Sequence, residues 1–186
     1  MATMARENEM LDALVREVAE CTDCSLCKNR IKSVFSKGCS TARIMLIGEA
    51  PGKQENEQGI PFVGRSGEQL NNMLKEAGFE NPEKEIYFCN VVKCRPVKNV
   101  KDRKPKKLEI QACIKYLNAQ IEIVKPEIII LCGNTAKNIF KIHKAMSIVH
   151  GTSFDYNGIT LVPVYHPRAS IATNVKLSDL KKIKKL

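Results

Sequence analysis

The sequence predicts an α/β protein with three layers, in which helices cover both faces of a central, mainly parallel four-stranded sheet. Two observations predict this fold. Short apolar runs with strand character alternate along the chain with longer segments whose apolar residues recur at helical spacing. One of the runs, residues 127–132, is apolar almost throughout, which is typical of a parallel strand covered on both faces.

The first predicted helix covers residues 4–20, where Leu11, Leu14, Val15 and Val18 repeat at helical spacing. The other predicted elements are a strand at 43–47, a helix from 65 or 66 to 78, a strand at 86–92, a helix from about 105 to 124, a strand at 127–132, a short helix opened by residues 133–136 with Asn134 or Thr135 as its cap, a strand at 159–164 and a short basic helix from about 177.

Length and charge narrow the class of protein. The 186 residues are enough for one substantial core, so we expect a single domain over residues 1–186 that includes the cysteine-rich region as an integral part. The net charge of +10 favours a polyanionic partner. No apolar run approaches the ~20 residues of a membrane span, and the first twenty residues are amphipathic, so we expect a cytoplasmic protein without a membrane partner. We also expect the protein to be a monomer.

A loop rich in glycine, proline and glutamate follows the first predicted strand. It runs from Gly48 to Arg65 and contains four glycines and two prolines. Because ligands of open α/β sheets bind outside the carboxyl ends of the strands, the Gly48-Glu49 pair places a carboxylate where chemistry is expected. Glu49 is therefore the first catalytic candidate.

Two further strands end in candidate residues. Asn90 lies in an otherwise apolar strand, and its amide could pair with a planar base edge or with local backbone. His166 follows the last predicted strand and stands beside Pro167. A parallel sheet would bring Glu49, Asn90 and His166 together in one pocket, although a lone histidine is more often structural than catalytic.

Eight cysteines suggest metal ligation or buried thiols rather than disulfides. Cys21 and Cys24 form a CxxC pair just after the first helix, which is a common metal-binding arrangement, and Cys27 extends it. No cysteine in the chain is followed by proline, which argues against a ferredoxin. A single CxxC pair with two lone cysteines also disfavours a zinc ribbon without excluding zinc.

Together these motifs resemble those of the iron–sulfur uracil-DNA glycosylases of family 4. The similarity rests on residues 48–52 and 59–65, on Asn-Val-x-Lys-Cys-Arg-Pro at 90–96, and on His166-Pro167. It implies a uracil-DNA glycosylase-like fold and an enzyme that flips uracil out of single- or double-stranded DNA and hydrolyses its N-glycosidic bond, leaving an abasic site. It also implies a [4Fe-4S] cluster held by Cys21, Cys24, Cys94 and Cys113, in a chain whose loop between Cys94 and Cys113 is about three residues longer than the family pattern.

The same resemblance implies roles for the site residues. Glu49 and His166 would be catalytic. Substrate would be bound by Phe62 through stacking, by Asn90 and His166 through hydrogen bonds to the base, and by Glu55 at the wall that excludes thymine. Ala50 would also contact the substrate. The expected DNA contacts are Gly64, Arg65, Ser66 and Arg168.

Three alternatives remain open at this point. One is a glycosylase for other deaminated bases, or a relative that becomes covalently attached to uracil-DNA. Another is a non-enzymatic iron–sulfur or zinc module that binds DNA, which would explain the charge and the cysteines but not Glu49, Phe62, Asn90 and His166. The last is electron transfer, which a net charge of +10 does not favour.

Overall fold

The computed structural model describes residues 2–186, with side chains from Ala5 onward. The strands within these residues are β1 (Ser36–Gly38), β2 (Ile44–Gly48), β3 (Ile86–Asn90), β4 (Val97–Lys98), β5 (Lys101–Asp102), β6 (Ile128–Cys132), β7 (Phe154–Tyr156) and β8 (Ile159–Val164). Six of them form one sheet in the order β1-β3-β2-β6-β8-β7, and β4 and β5 form a separate hairpin.

The four predicted strands β2, β3, β6 and β8 are mutually parallel and form the centre of the sheet, which confirms that prediction. The sheet is wider than expected, because β1 and β7 add antiparallel strands at its two edges. Each edge strand has three residues, and none of these residues is buried, so neither shows the apolar run by which the central strands were recognised.

The α-helices in residues 2–186 are α1 (Ala2–Glu20), α2 (Lys53–Gln58), α3 (Arg65–Glu76), α4 (Pro82–Glu85), α5 (Lys107–Val124), α6 (Asn134–Ile139), α7 (Met146–Val149) and α8 (Thr173–Lys184). Helix α2 lies inside the loop predicted after the first strand. Helix α6 is capped by Gly133 at a φ of 92°, so the predicted caps Asn134 and Thr135 are wrong. None of the described helices is long and apolar enough to cross a membrane.

Alternate residues of the central strands pack on opposite faces of the sheet, because successive side chains of a strand point in opposite directions. On one face Met45, Ile47 and Leu131 pack in the core that includes residues of α1 and α5. On the other face Leu46 and Ile130 pack in the core that includes residues of α3 and α8. The predicted three-layer arrangement is therefore confirmed.

Candidate active site

A cleft of about 910 Å³ lies at the carboxyl ends of the parallel strands. The strands end in register there, with Gly48 of β2 opposite Asn90 of β3 and Cys132 of β6 opposite Val164 of β8. Glu49, Asn90 and His166 all line this cleft. The tertiary structure thus brings together the three side chains that the sequence placed at strand ends.

Gly48 allows two other site residues to approach each other. A Cβ atom at this position would lie 2.4 Å from Oδ1 of Asn90 and 2.7 Å from Cζ of Phe62, which is closer than real Cβ contacts allow. Phe62 is further supported from below by Phe88, with ring centroids 5.8 Å apart. The glycine therefore lets an aromatic ring and an amide meet at the floor of the cleft.

The side-chain amide of Asn90 faces this floor without a protein partner. Asn90 as a whole is only 3% exposed, and its side-chain oxygen and nitrogen make no hydrogen bond to the residues that the structure describes, so these two atoms are open to the cleft rather than sealed in the core. Its backbone carbonyl is held from beneath by Nζ of Lys93 at 2.6 Å. A ligand that covers this amide must also pair with it, because an enclosed amide left unpaired costs ~1 to 3 kcal/mol, so the arrangement suits a ligand that offers one donor and one acceptor.

The carboxylate of Glu49 accepts a hydrogen bond from the hydroxyl of Thr135 in α6. The sequence analysis assigned Thr135 only a possible capping role and missed this contact. A usable indication was present in the sequence, because Thr135 lies three residues after the end of β6 and so at the same edge of the sheet. Thr135 orients a carboxylate that would otherwise rotate freely in the cleft.

Glu55 holds the glycine-rich segment in shape. Its Oε2 accepts a hydrogen bond from the backbone N–H of Gly52 at 3.1 Å, and its Oε1 accepts bonds from Val63 at 3.1 Å and Gly64 at 2.8 Å. Three donors already occupy this carboxylate. Glu55 therefore ties the two ends of the segment together, and its predicted place at the wall against thymine stays a prediction.

The imidazole of His166 is set up as a hydrogen-bond donor. Its Nδ1 accepts a hydrogen bond from the backbone N–H of Arg168 at 3.2 Å, so the proton of the neutral ring lies on Nε2. Burial lowers the pKa of His166 from its usual value, and the charges of Arg168 and Lys176 lower it further, while Glu49 acts in the opposite direction. Although the ring is open to the cleft, the surrounding protein favours its neutral form.

We expect His166 to titrate with a midpoint below 6.5, its ordinary value. A histidine whose pKa is lowered by folding stabilises the fold above pH 6.5, and that contribution is lost as the pH falls from 6.5 through the folded pKa. An NMR titration of the three histidines, assigned with His166→Gln, measures the midpoint. The same titration in Glu49→Gln should show a still lower midpoint, because a negative charge is removed. A midpoint at or above 6.5 would contradict the argument.

The rim of the cleft carries the residues expected to meet DNA. Gly64, Arg65, Ser66 and Arg168 all line it, and the first three form the N-terminal end of the twelve-residue helix α3. An α-helix N-terminus presents free N–H groups and a partial positive charge, which suits phosphate. Pro96, Asp102, Arg103 and Lys104 also line the cleft, and no DNA contact was predicted for any of them.

Two of the lysines near the cleft, Lys93 and Lys176, are buried. Lys93 is 1% exposed and donates to Oε1 of Gln120 as well as to Asn90. Lys176 is also buried, and its Nζ donates to the carbonyls of Pro167 at 2.7 Å and Ala169 at 3.2 Å. Lys93 therefore supports the segment that carries Asn90, and Lys176 supports the segment that follows His166. Because both side chains are buried, neither contributes surface charge for DNA binding.

A second, smaller cavity is lined by cysteines. Cys21 follows α1, Cys24 and Cys27 belong to the next turn, Cys94 follows β3, and Cys113 lies in α5, and all five line this cavity. The other walls include Val18, Leu26, Ala112 and Tyr116. The four cysteines of the predicted ligand set are therefore brought together, and Cys27 is beside them.

The thiols of this cavity already accept hydrogen bonds from neighbouring groups. Nη1 of Arg30 donates to Sγ of Cys94 at 3.7 Å, and the backbone N–H of Lys93 donates to Sγ of Cys113 at 3.3 Å. Burial raises the pKa of Cys113 to about 11. Among the side chains that the structure describes, no three His, Cys, Asp or Glu residues are close enough to hold a single metal ion. Four cysteine thiols that converge from three separate segments are the donor set that iron–sulfur clusters use.

The remaining cysteines are scattered. Cys89 and Cys132 are buried in the central strands, as expected for small apolar residues. Cys39 is only partly buried, and its sulfur lies 3.3 Å from Oγ1 of Thr41.

The fold and the cleft define a class of protein: an α/β protein whose strand-end cleft presents an amide, an aromatic ring, a carboxylate and an imidazole. Its basic rim suits a ligand attached to a phosphate chain. The chain belongs to the Uracil DNA glycosylase superfamily, whose family model matches residues 35–185.

Several relatives are similar over nearly the whole chain. A type-4 uracil-DNA glycosylase of Thermotoga maritima is 37% identical over 97% of this chain and 96% of its own length. Type-4 enzymes of Sulfurisphaera tokodaii and Saccharolobus solfataricus are 36% and 37% identical over 96% and 94% of this chain, and each alignment covers 85% of the relative.

Proposed function

We propose that the chain is a type-4 uracil-DNA glycosylase that acts in DNA repair, hydrolysing the N-glycosidic bond of uracil and leaving an abasic site. The observation that carries the proposal is the amide of Asn90, which has no protein partner and opens beside Phe62 into a cleft that also presents Glu49 and His166. A binding module without activity has no need for this combination. The substrate is uracil-containing DNA, from which the uracil nucleotide is flipped into the cleft.

Base recognition rests on the amide of Asn90 and the ring of Phe62. The side-chain oxygen accepts from N3–H of uracil, and the side-chain nitrogen donates to O4. Cytosine presents the opposite donor and acceptor at these two atoms, so it leaves buried groups unpaired, at ~1 to 3 kcal/mol for each. Phe62 stacks on the base, supported by Phe88.

Bond cleavage separates charge, and the cleft holds a group for each end. Positive charge develops on the sugar and negative charge on the departing base. Glu49, oriented by Thr135, stabilises the sugar cation and positions the attacking water. His166 donates its Nε2 proton in a hydrogen bond to O2 of uracil, which stabilises the leaving anion. Water supplies the hydroxyl group to the sugar carbon and a proton to the released base.

We further propose that Cys21, Cys24, Cys94 and Cys113 hold a [4Fe-4S] cluster. The shared cavity and the two donors to its sulfurs support this ligand set. When bound, the cluster cross-links segments that are distant in the chain, and hydrolysis requires no electron transfer from it. Glu109 supports the same junction, because it accepts from Ser25 at 3.1 Å and pairs with Arg103 at 2.6 Å.

The proposal is tested by base release from labelled oligonucleotides that carry a single U, T or hypoxanthine. We expect alkali-labile sites at U alone, in single- and double-stranded DNA. Release at hypoxanthine but not at U would favour a glycosylase for another deaminated base. DNA binding without release at any base would favour a non-enzymatic binding module.

Asn90→Asp should shift base preference towards cytosine. An ionised carboxylate is acceptor-only and cannot donate to O4 of uracil, whereas it accepts from the amino group of cytosine. We expect the ratio of kcat/KM for U over C to fall by at least tenfold, since one mispaired group is worth ~1 to 3 kcal/mol. Competition between U- and C-containing oligonucleotides measures the ratio, and an unchanged ratio would remove Asn90 from base selection.

A further inference from the structure

Two hairpins in this chain use the same two-residue turn with different residues. In the turn between β7 and β8, Asn157 and Gly158 adopt φ angles of 52° and 83°. In the turn between β4 and β5, Asn99 and Val100 adopt φ angles of 48° and 61°. Positive φ at both central residues is the pattern that strongly favours Asn-Gly. The second hairpin has valine where the first has glycine.

Valine is a poor choice for this position. A β-branched residue at positive φ is a conformational outlier, and such strain is worth of order 1 to 3 kcal/mol. No packing offsets it, because Val100 is 88% exposed. Single exposed apolar residues are ordinary on protein surfaces, but an exposed apolar residue in a strained conformation is not. No contact within the described fold therefore accounts for valine at this position.

The hairpin is held rigidly in spite of its short strands. Nε of Arg95 pairs with Oδ1 of Asp102 at 2.6 Å, and its Nη2 donates to the carbonyl of Val100 at 3.3 Å. On the other strand Nε of Arg103 donates to the carbonyl of Val97 at 3.1 Å, while Nη1 and Nη2 bind Glu109. Two guanidinium groups thus fix the hairpin on which Val100 forms the tip.

The hairpin stands at the rim of the active-site cleft. Pro96, Asp102 and Arg103, at its base, line the cleft. Lys98 and Lys101 flank the tip and are exposed, so the apolar side chain lies between two cations. That combination suits duplex DNA, whose phosphates pair with lysine and whose base steps accept apolar side chains.

We propose that Val100 is an apolar wedge that enters the base stack of duplex DNA beside the flipped uracil, while Lys98 and Lys101 bind the adjacent phosphates. This inference rests on the proposed function. Extruding a nucleotide from a duplex unstacks its neighbours and leaves a gap, and an apolar side chain that fills the gap stabilises the extruded state. Single-stranded DNA has no continuous stack to maintain, so the wedge acts on duplex substrates.

The test is a reciprocal exchange between the two turns. Val100→Gly gives the β4–β5 hairpin the ordinary Asn-Gly turn and removes the side chain. Gly158→Val builds the strained turn in the other hairpin, where no described heavy atom lies within 4 Å of the new Cβ. That turn leads into the amino end of β8, at the opposite edge of the sheet from the cleft. A third variant, Val100→Leu, keeps an apolar side chain at the tip.

Base release is measured for all three variants on a duplex and on the same strand alone, with Tm as a control for folding. For Val100→Gly we expect kcat/KM to fall about tenfold on the duplex and less than twofold on the single strand, with Tm unchanged or higher. Val100→Leu should retain duplex activity, and Gly158→Val should lose Tm while activity on both substrates is unchanged at temperatures below its transition.

The wedge proposal is contradicted if Val100→Gly keeps its activity on the duplex or if its activity falls equally on both substrates. It is also contradicted if Val100→Leu loses as much duplex activity as Val100→Gly. Those results are distinguishable from failure of the proposed function. If the wild-type chain releases no uracil from either substrate, the glycosylase proposal fails, whereas the wedge alone fails when the wild-type chain is active and the variants do not discriminate.

Discussion

Glu49→Gln is expected to lower kcat for uracil release by about 10²- to 10⁴-fold, the range typical of losing a positioned catalytic carboxylate. Glutamine preserves the size of the side chain and can still accept the hydrogen bond from Thr135. It removes the negative charge that faces the sugar as positive charge develops there. Since that charge matters most in the transition state, kcat should fall much more than KM rises.

The measurement is single-turnover base release from a uracil-containing duplex, with DNA affinity measured in parallel. Glu57→Gln is a matched control. It makes the same glutamate-to-glutamine change at an exposed residue of α2 that does not line the cleft. We expect the control to retain full activity. A Glu49→Gln variant with kcat within threefold of the wild-type value would exclude a charge-dependent role for Glu49.

Cys94→Ala is expected to abolish the visible absorbance of an iron–sulfur cluster and to lower Tm by about 10 °C or more. Loss of one ligand releases the segments that the cluster joins, and in a chain of this size each 1 kcal/mol lost lowers Tm by roughly 2 to 4 °C. Cys94 lies four residues after Asn90, the last residue of β3, so the base-binding amide should also lose its fixed position.

Cys89→Ala is the control for this experiment. Cys89 is fully buried in β3 and does not line the cysteine cavity, so its replacement removes a core sulfur without touching the proposed ligand set. We expect iron content and absorbance to be retained, with a smaller loss of Tm from the cavity that is left. An unchanged visible spectrum in Cys94→Ala would remove Cys94 from the ligand set.

Much of the fold was predictable because its central strands are buried on both faces. Burial on both faces requires a continuous apolar run, and such runs identified β2, β3, β6 and β8. The edge strands β1 and β7 are short and not buried, so their pairing depends on partners that no local pattern reveals. Helix α2 escaped prediction for a related reason, since its buried residues are the polar Glu55 and Asn56.

The sequence by itself determined which residue types stand at the strand ends, because chain order and the carboxyl-end rule place Glu49, Asn90 and His166 on one edge of a parallel sheet. Only the tertiary structure decided how those residues are held. Thr135 orients Glu49, Glu55 closes the glycine-rich segment, Lys93 supports Asn90, and Lys176 supports the segment after His166. Each of these contacts joins residues that come close only when the helices and strands pack against one another. Such packing contacts produce no periodic pattern in the sequence.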